Sequence, residues 1–150
     1  MELGIGVYSP HGDERCDFIF DLRPRLVRIQ VKWANTNGVV IYARLYSARR
    51  ARAGLIRKPY EDHEVDAFAL YCADSDSCYF LDREAVAGRT QILLRLRGTR
   101  NNQAAGVNWA EDFEFAARLK PVLGAVAQLG ERCHGMAEVR GSIPLGSTLD

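Results

Sequence analysis

Three side chains in one short stretch have the types and spacing to act together on a phosphate. They are Asp17, Gln30 and Lys32 in CDFIFDLRPRLVRIQVKW, residues 16–33. A carboxylate, an amide oxygen and a neighbouring backbone carbonyl are hard oxygen donors of the kind Mg²⁺ prefers. An amine two residues beyond the amide, on the same strand face, can orient water or offset charge on a phosphate. Such groups together polarise a phosphodiester and present a water for in-line attack. Taken singly, each residue also has an ordinary role: an acid heading a strand, an exposed amide, a lysine reaching solvent. Their coincidence in one hairpin is what gives the reading weight, because polar groups inside a sheet cost free energy unless something pairs with them.

The elements that must position these groups follow from the alternation of residue types. In 17–22, Phe18, Phe20 and Leu22 share one face, and Asp17, Ile19 and Asp21 the other. Arg23-Pro24-Arg25 makes a turn. Residues 26–34 alternate again, with Val27, Ile29, Val31 and Trp33 opposite Arg28, Gln30 and Lys32. Two strands joined by a tight turn therefore bring the acid towards the amide and the amine where they diverge. Further strands are expected at IGVY, residues 5–8, and at 39–46, 65–72, 78–81 and 91–96, the middle pair forming a hairpin. Residues 47–64, SARRARAGLIRKPYEDHE, are polar, basic and aperiodic, and read as a loop carrying at most a short helix. A short helix begins at Asp82 and ends by Gly88. Residues 109–119 read as one helix, with Trp109, Phe113 and Ala116–Ala117 near one face, ended by Pro121.

A length of 150 residues suits one domain, and the formal net charge of +1 says nothing about a partner. The distribution of charge says more. Ten basic residues and no acid lie between Leu22 and Tyr60, whereas residues 61–84 carry eight acids and one base, Arg83. That asymmetry predicts a basic surface for a polyanion; arginines that keep strand edges from aggregating are the plainer reading. The four cysteines, Cys16, Cys72, Cys78 and Cys133, fit neither a zinc site nor a disulfide framework. Cys72 and Cys78 flank ADSDS, a turn across which they could face each other, but two small apolar strand residues are the favoured reading. Among the acids, Glu61, Asp62, Glu64 and Asp66 are expected to cap or to pair with arginines rather than to hold a second metal. His11 and His63 have no partner at ligand spacing. Tyr60, Trp33 and Trp109 are expected in core or rim packing. No apolar run approaches the ~18 residues of a membrane span and no secretion signal opens the chain. No membrane association is expected, and a cytoplasmic location is the default expectation.

The pattern D-x12-QVK, preceded by GIGVYSPHGDERC, resembles the PD-(D/E)XK nuclease superfamily, and within it the homing endonucleases associated with group I introns, in which Gln replaces the acid of the second strand. YEDHEVDAFALYC, CYFL, LRLRGTRNNQ and VNWAEDFEF extend the resemblance from about residue 3 to residue 119. It implies an α/β fold with a restriction-endonuclease-like core, a central mixed β-sheet with flanking helices. It also implies a DNA endonuclease that depends on Mg²⁺, with Mn²⁺ as a substitute. Asp17 becomes the metal-binding carboxylate and Gln30 a weak metal ligand or water-orienting amide. Val31 lends its backbone carbonyl to the metal, and Lys32 is the catalytic lysine. Double-stranded DNA is the partner, contacted by Arg44 on the third strand and by Arg49, Arg50, Arg52, Arg57 and Lys58 in the basic loop. One active site per chain implies a homo-oligomer, dimer or tetramer.

The family carries a helix with a Glu well ahead of the strand Asp, and Glu2 falls near that helix's expected end. The expectation is therefore a nuclease domain over 1–120 lacking most of its N-terminal helix, with weakened metal affinity and impaired cleavage. Residues 121–150 are expected as a weakly structured tail, and AVAQLGER…EVRGSIPLGST resembles a translated transfer-RNA gene. The competing readings are an inactive DNA-binding remnant of a mobile element, a junction-resolving nuclease on the same scaffold, and a protein-interaction module. The cluster Thr99-Arg100-Asn101-Asn102-Gln103 is either a base-reading loop or an Asn-rich turn.

Overall fold

In the computed structural model, residues 5–98 and 105–119 are described. Met1–Leu3, the cluster at 99–103 and the tail at 121–150 lie outside them. Nine strands form: β1 (Gly6–Tyr8), β2 (Phe18–Leu22), β3 (Arg25–Thr36), β4 (Val40–Arg44), β5 (Tyr46–Ala51), β6 (Gly54–Pro59), β7 (Ala67–Cys72), β8 (Ser77–Asp82) and β9 (Gln91–Arg95). Seven belong to one mixed sheet and β5–β6 form a separate hairpin.

Strand β3 organises the sheet. Along one edge it pairs with β7 in parallel from Ile29–Ala67 to Ala34–Cys72. Its other edge is shared: β2 pairs antiparallel from Phe18–Ile29 to Leu22–Arg25, and β4 takes Ala34 to Thr36. Beyond them β1 adds to β2, β9 to β4 and β8 to β7. The alternation in the sequence sorts the faces as expected. Phe20, Leu22, Val27 and Ile29 join Ala67, Phe80 and Leu119 in one buried cluster. Ala34, Ile41, Ala43, Phe68, Leu70, Leu81, Ile92 and Leu94 build the second cluster on the opposite face.

Several expectations change. Residues 47–64 are not a loop: most of them form β5 and β6, in register from Tyr46–Pro59 to Ala51–Gly54. Every residue from 48 to 59 is exposed, so no apolar period exists to announce these strands. Gly54, at φ +122°, supplies the backbone conformation the tight turn needs. The strand expected at 39–46 breaks at buried Leu45, whose N–H donates to the Thr90 carbonyl at 2.8 Å.

The flanking helices are nearly absent among the described residues, which hold three 3₁₀ turns, Ala73–Ser75, Arg83–Val86 and Ala110–Phe113, and a helical stretch at 115–119. The single helix expected over 109–119 is interrupted because Glu114 bridges to Tyr79 in extended conformation. That break lets the segment serve both faces: Ala110 and Phe113 pack in one cluster, Phe115 and Leu119 in the other. Cys72 lies opposite Ser77 and Cys78 opposite Tyr71, so the two cysteines do not face each other, and both are free. Trp33 is not packed in the core; it is 71% exposed, edge-on to Tyr71 at 5.4 Å. No helix among the described residues is long and apolar enough to cross a membrane.

Candidate active site

Between the last β2 pair at Ile29 and the first β4 pair at Ala34, residues 30–33 of β3 have no strand on that edge. Odd-numbered residues turn their main-chain groups towards this opening, as the bond from Asp17 N–H to the Ile29 carbonyl shows at 2.8 Å. Of the odd-numbered residues in this stretch, Val31 is the one met by side chains. Its N–H donates to Asp17 Oδ2 at 2.8 Å, and its carbonyl accepts from Gln30 Nε2 at 3.2 Å. Gln30 Nε2 also donates to Asp17 Oδ2. Buried or edge main-chain groups need partners, and here side chains of two functional candidates supply them. Asp17, Gln30 and the Val31 carbonyl thus meet at one point.

The donor set at that point suits a hard cation. An amide N–H₂ lies between a carboxylate oxygen and a carbonyl oxygen, and turning the amide over would bring a third oxygen to the same place. Asp17 is the one carboxylate bonded to this opening among the described residues, and no group of three or more His, Cys, Asp or Glu among them is placed to hold a metal ion.

Lys32 projects on the same face as Gln30. Its Nζ donates to the Tyr60 hydroxyl at 2.6 Å and to the Tyr46 carbonyl at 3.3 Å. Burial pushes the amine below the ordinary lysine range; the Asp17 charge opposes this and the Arg15 charge adds to it. Burial likewise raises the Tyr60 hydroxyl, keeping it protonated. Arg15 completes the surroundings, its Cζ 4.4 Å from the Tyr60 ring centroid and its Nε 3.2 Å from Glu64. Glu64 is held down to about 2, chiefly by the Glu61 backbone N–H and then by Lys58 and Arg15. Sequence reasoning did not single out Arg15.

The expected phosphate contacts separate. Arg49, Arg50, Arg52 and Arg57 stand exposed on the β5–β6 hairpin and its turn. Arg57 stacks over Tyr46 at 5.5 Å. Lys58 is exposed but paired with Glu64 at 3.2 Å. Arg44 is exposed on β4, one residue from buried Ala43, and points to the sheet face opposite Lys32. Asp62, Glu64 and Asp66 are taken up in ion pairs with basic side chains, and Glu61 lies beside His63. Asp66 holds Arg28 with both oxygens, at 2.7 and 2.8 Å, and Asp62 holds Arg83 at 2.8 Å. Arg28 keeps the Asp66 carboxyl below the usual range.

This mixed sheet carries an acid and an amide joined at a break in one edge, with an amine on the same strand face. The chain belongs to the PD-(D/E)XK endonuclease family, whose profile matches residues 1–116. Members of that family generally use divalent metal ions. Among solved structures the chain is similar to a bacterial homing endonuclease, I-Ssp6803I, at 22% identity and a TM-score of 0.61, over 84% of this chain and 85% of that one. That likeness gives the restriction-endonuclease-like fold. No curated protein sequence matches the chain.

Proposed function

We propose that the chain is a Mg²⁺-dependent DNA endonuclease of the homing type, hydrolysing phosphodiester bonds at the β3 opening. The observation that carries this reading is the junction of Asp17, Gln30 and the Val31 main chain at a gap in a sheet edge. In this reading Asp17, the Val31 carbonyl and a turned Gln30 amide hold the cation, for which Mn²⁺ substitutes. When bound, such an ion polarises a phosphoryl oxygen and lowers the pKa of water. Lys32, anchored at 3.3 Å and 2.6 Å by two partners, orients the attacking water and offsets charge on the phosphate. Arg49, Arg50, Arg52 and Arg57 lay the backbone of double-stranded DNA along the hairpin, with Lys58 and Arg44 as peripheral contacts. One set of cutting groups per chain supports a homo-oligomer acting on both strands, in the cytoplasm and on the nucleoid.

Nicking of supercoiled plasmid with Mg²⁺ tests the reading. Lys32→Ala and Asp17→Ala should each lose cleavage by about 10²–10⁴-fold while retaining duplex binding. Cleavage by Lys32→Ala at the rate of the unaltered chain would refute it.

A specific observation favours a second reading. With Asp17 as the one carboxylate at the opening among the described residues, charge at the metal is low and affinity falls with it. An inactive DNA-binding remnant would bind duplex in a salt-dependent way, show no cleavage with Mg²⁺ or Mn²⁺, and be indifferent to both substitutions.

A further inference from the structure

Tyr60 follows directly on β6, and its ring is 7% exposed, edge-on to Phe68 at 5.6 Å. The core therefore sets where the hydroxyl lies. A phenylalanine would fill that space as well, so the hydroxyl itself needs a reason, and its one partner among the described residues is Lys32 Nζ. Two cations share the ring: Lys32 Nζ at 4.7 Å and Arg15 Cζ at 4.4 Å from its centroid. The ring's quadrupole attracts both, while their mutual repulsion is offset by Glu64 beside Arg15.

The same two cations grip the root of the basic hairpin. Lys32 donates to the Tyr46 carbonyl at the start of β5. Arg15 donates to Ser47 Oγ at 2.9 Å and to the Pro59 carbonyl at the end of β6 at 3.2 Å. Both hairpin strands are thus tied to residues that flank the opening. A lysine has a flexible four-carbon stem, and an amine that must meet one phosphate gains from being fixed before the substrate arrives.

We propose that Tyr60, braced by Arg15, is a positioning residue for Lys32. Its hydroxyl fixes the amine beside the β3 opening and keys it to the root of the DNA-contacting hairpin. The inference rests on the catalytic role given to Lys32 above.

Tyr60→Phe keeps the ring and removes the hydroxyl. In the full chain it should lower kcat for Mg²⁺-dependent plasmid nicking by about 10–100-fold, with KM and duplex affinity unchanged. Carbon relaxation at Lys32 Cε reads the amine directly: its order parameter should fall from a restrained value to below about 0.6. Arg15→Gln, outside the core, should give the same two changes in smaller measure, and carries the test if Tyr60→Phe loses its cooperative thermal transition. Unchanged kcat and unchanged Lys32 Cε order in both variants would overturn the proposal. Undiminished cleavage by Lys32→Ala, or no cleavage by the unaltered chain, would instead refute the function given to Lys32. The relaxation measurement would still decide whether Tyr60 holds the amine.

Discussion

The molecule contains two antiparallel hairpins rich in arginine, β2–β3 and β5–β6, and they are held by different forces. The first buries Phe20, Leu22, Val27 and Ile29 against β7, β8 and Leu119. The second buries nothing from residue 48 to residue 59. A lone two-stranded hairpin is marginal in water, so β5–β6 depends on its backbone ladder and on the contacts of Arg15, Lys32 and Glu64 at its root. The difference assigns labour by rigidity. Groups that need fixed geometry sit on the packed hairpin, where side-chain positions are over-determined. In the proposed reading, groups that need only to reach a polyanion sit on the exposed one, where movement costs little.

The largest expected effect tests the packing side of this contrast. Ile29→Ala, at a fully buried position, should cost about 2–5 kcal/mol in denaturant unfolding. Ile56→Ala, on β6 and 44% exposed, should stay within about 0.5 kcal/mol. Equal costs would mean that the basic hairpin is packed after all, and the contrast would collapse. A middle-sized effect concerns the root. The Glu64 carboxyl is held at about 2 against an ordinary 4.5, so its contribution is fully present above the ordinary value and is lost as pH falls towards 2. Between those limits the unaltered chain should lose on the order of 1–2 kcal/mol more stability than Glu64→Gln. Parallel pH profiles for the two proteins would show that the root is not held by this charge. The smallest effect on stability belongs to the exposed arginines. Arg49→Ala and Arg50→Ala should each shift stability by less than about 0.5 kcal/mol, while reducing the slope of log affinity for duplex against log salt by about 1. An unchanged slope would remove the hairpin from the DNA contact surface.

These two hairpins also mark what the sequence could convey. The alternation of Phe18, Phe20 and Leu22 against Val27 and Ile29 gave β2 and β3, and with them the face shared by Asp17, Gln30 and Lys32, because burial on one side imposes a period of two. Residues 46–59 carry no such imprint, since exposure on both faces leaves residue choice free of packing. Residues 109–119 misled for the opposite reason. Their apolar residues serve two clusters on opposite faces, so their spacing mimics one helical stripe while Glu114 breaks the chain between them. The gap at 30–33 could be guessed only as a divergence of strands. Its position depends on where β4 meets β3, a long-range pairing that no local pattern encodes. Arg15 and Tyr60 were hidden likewise, their meaning arising from contacts across 32 residues to Ser47 and across 28 to Lys32.

The parallel seam between β3 and β7 has a consequence for how the protein can change in length. Because Ile29 to Ala34 are matched residue for residue with Ala67 to Cys72, adding or deleting one residue in β3 ahead of Gln30 would turn the amide and the amine to the opposite side of the sheet. The four-residue turn from Ala51 to Gly54 is under no such constraint, standing exposed at the tip of its ribbon. In the proposed reading, insertions and deletions are therefore admissible where the chain would reach for its substrate and forbidden where it would cut. A lineage of such proteins can vary its grip by length while its cutting site can vary only by substitution.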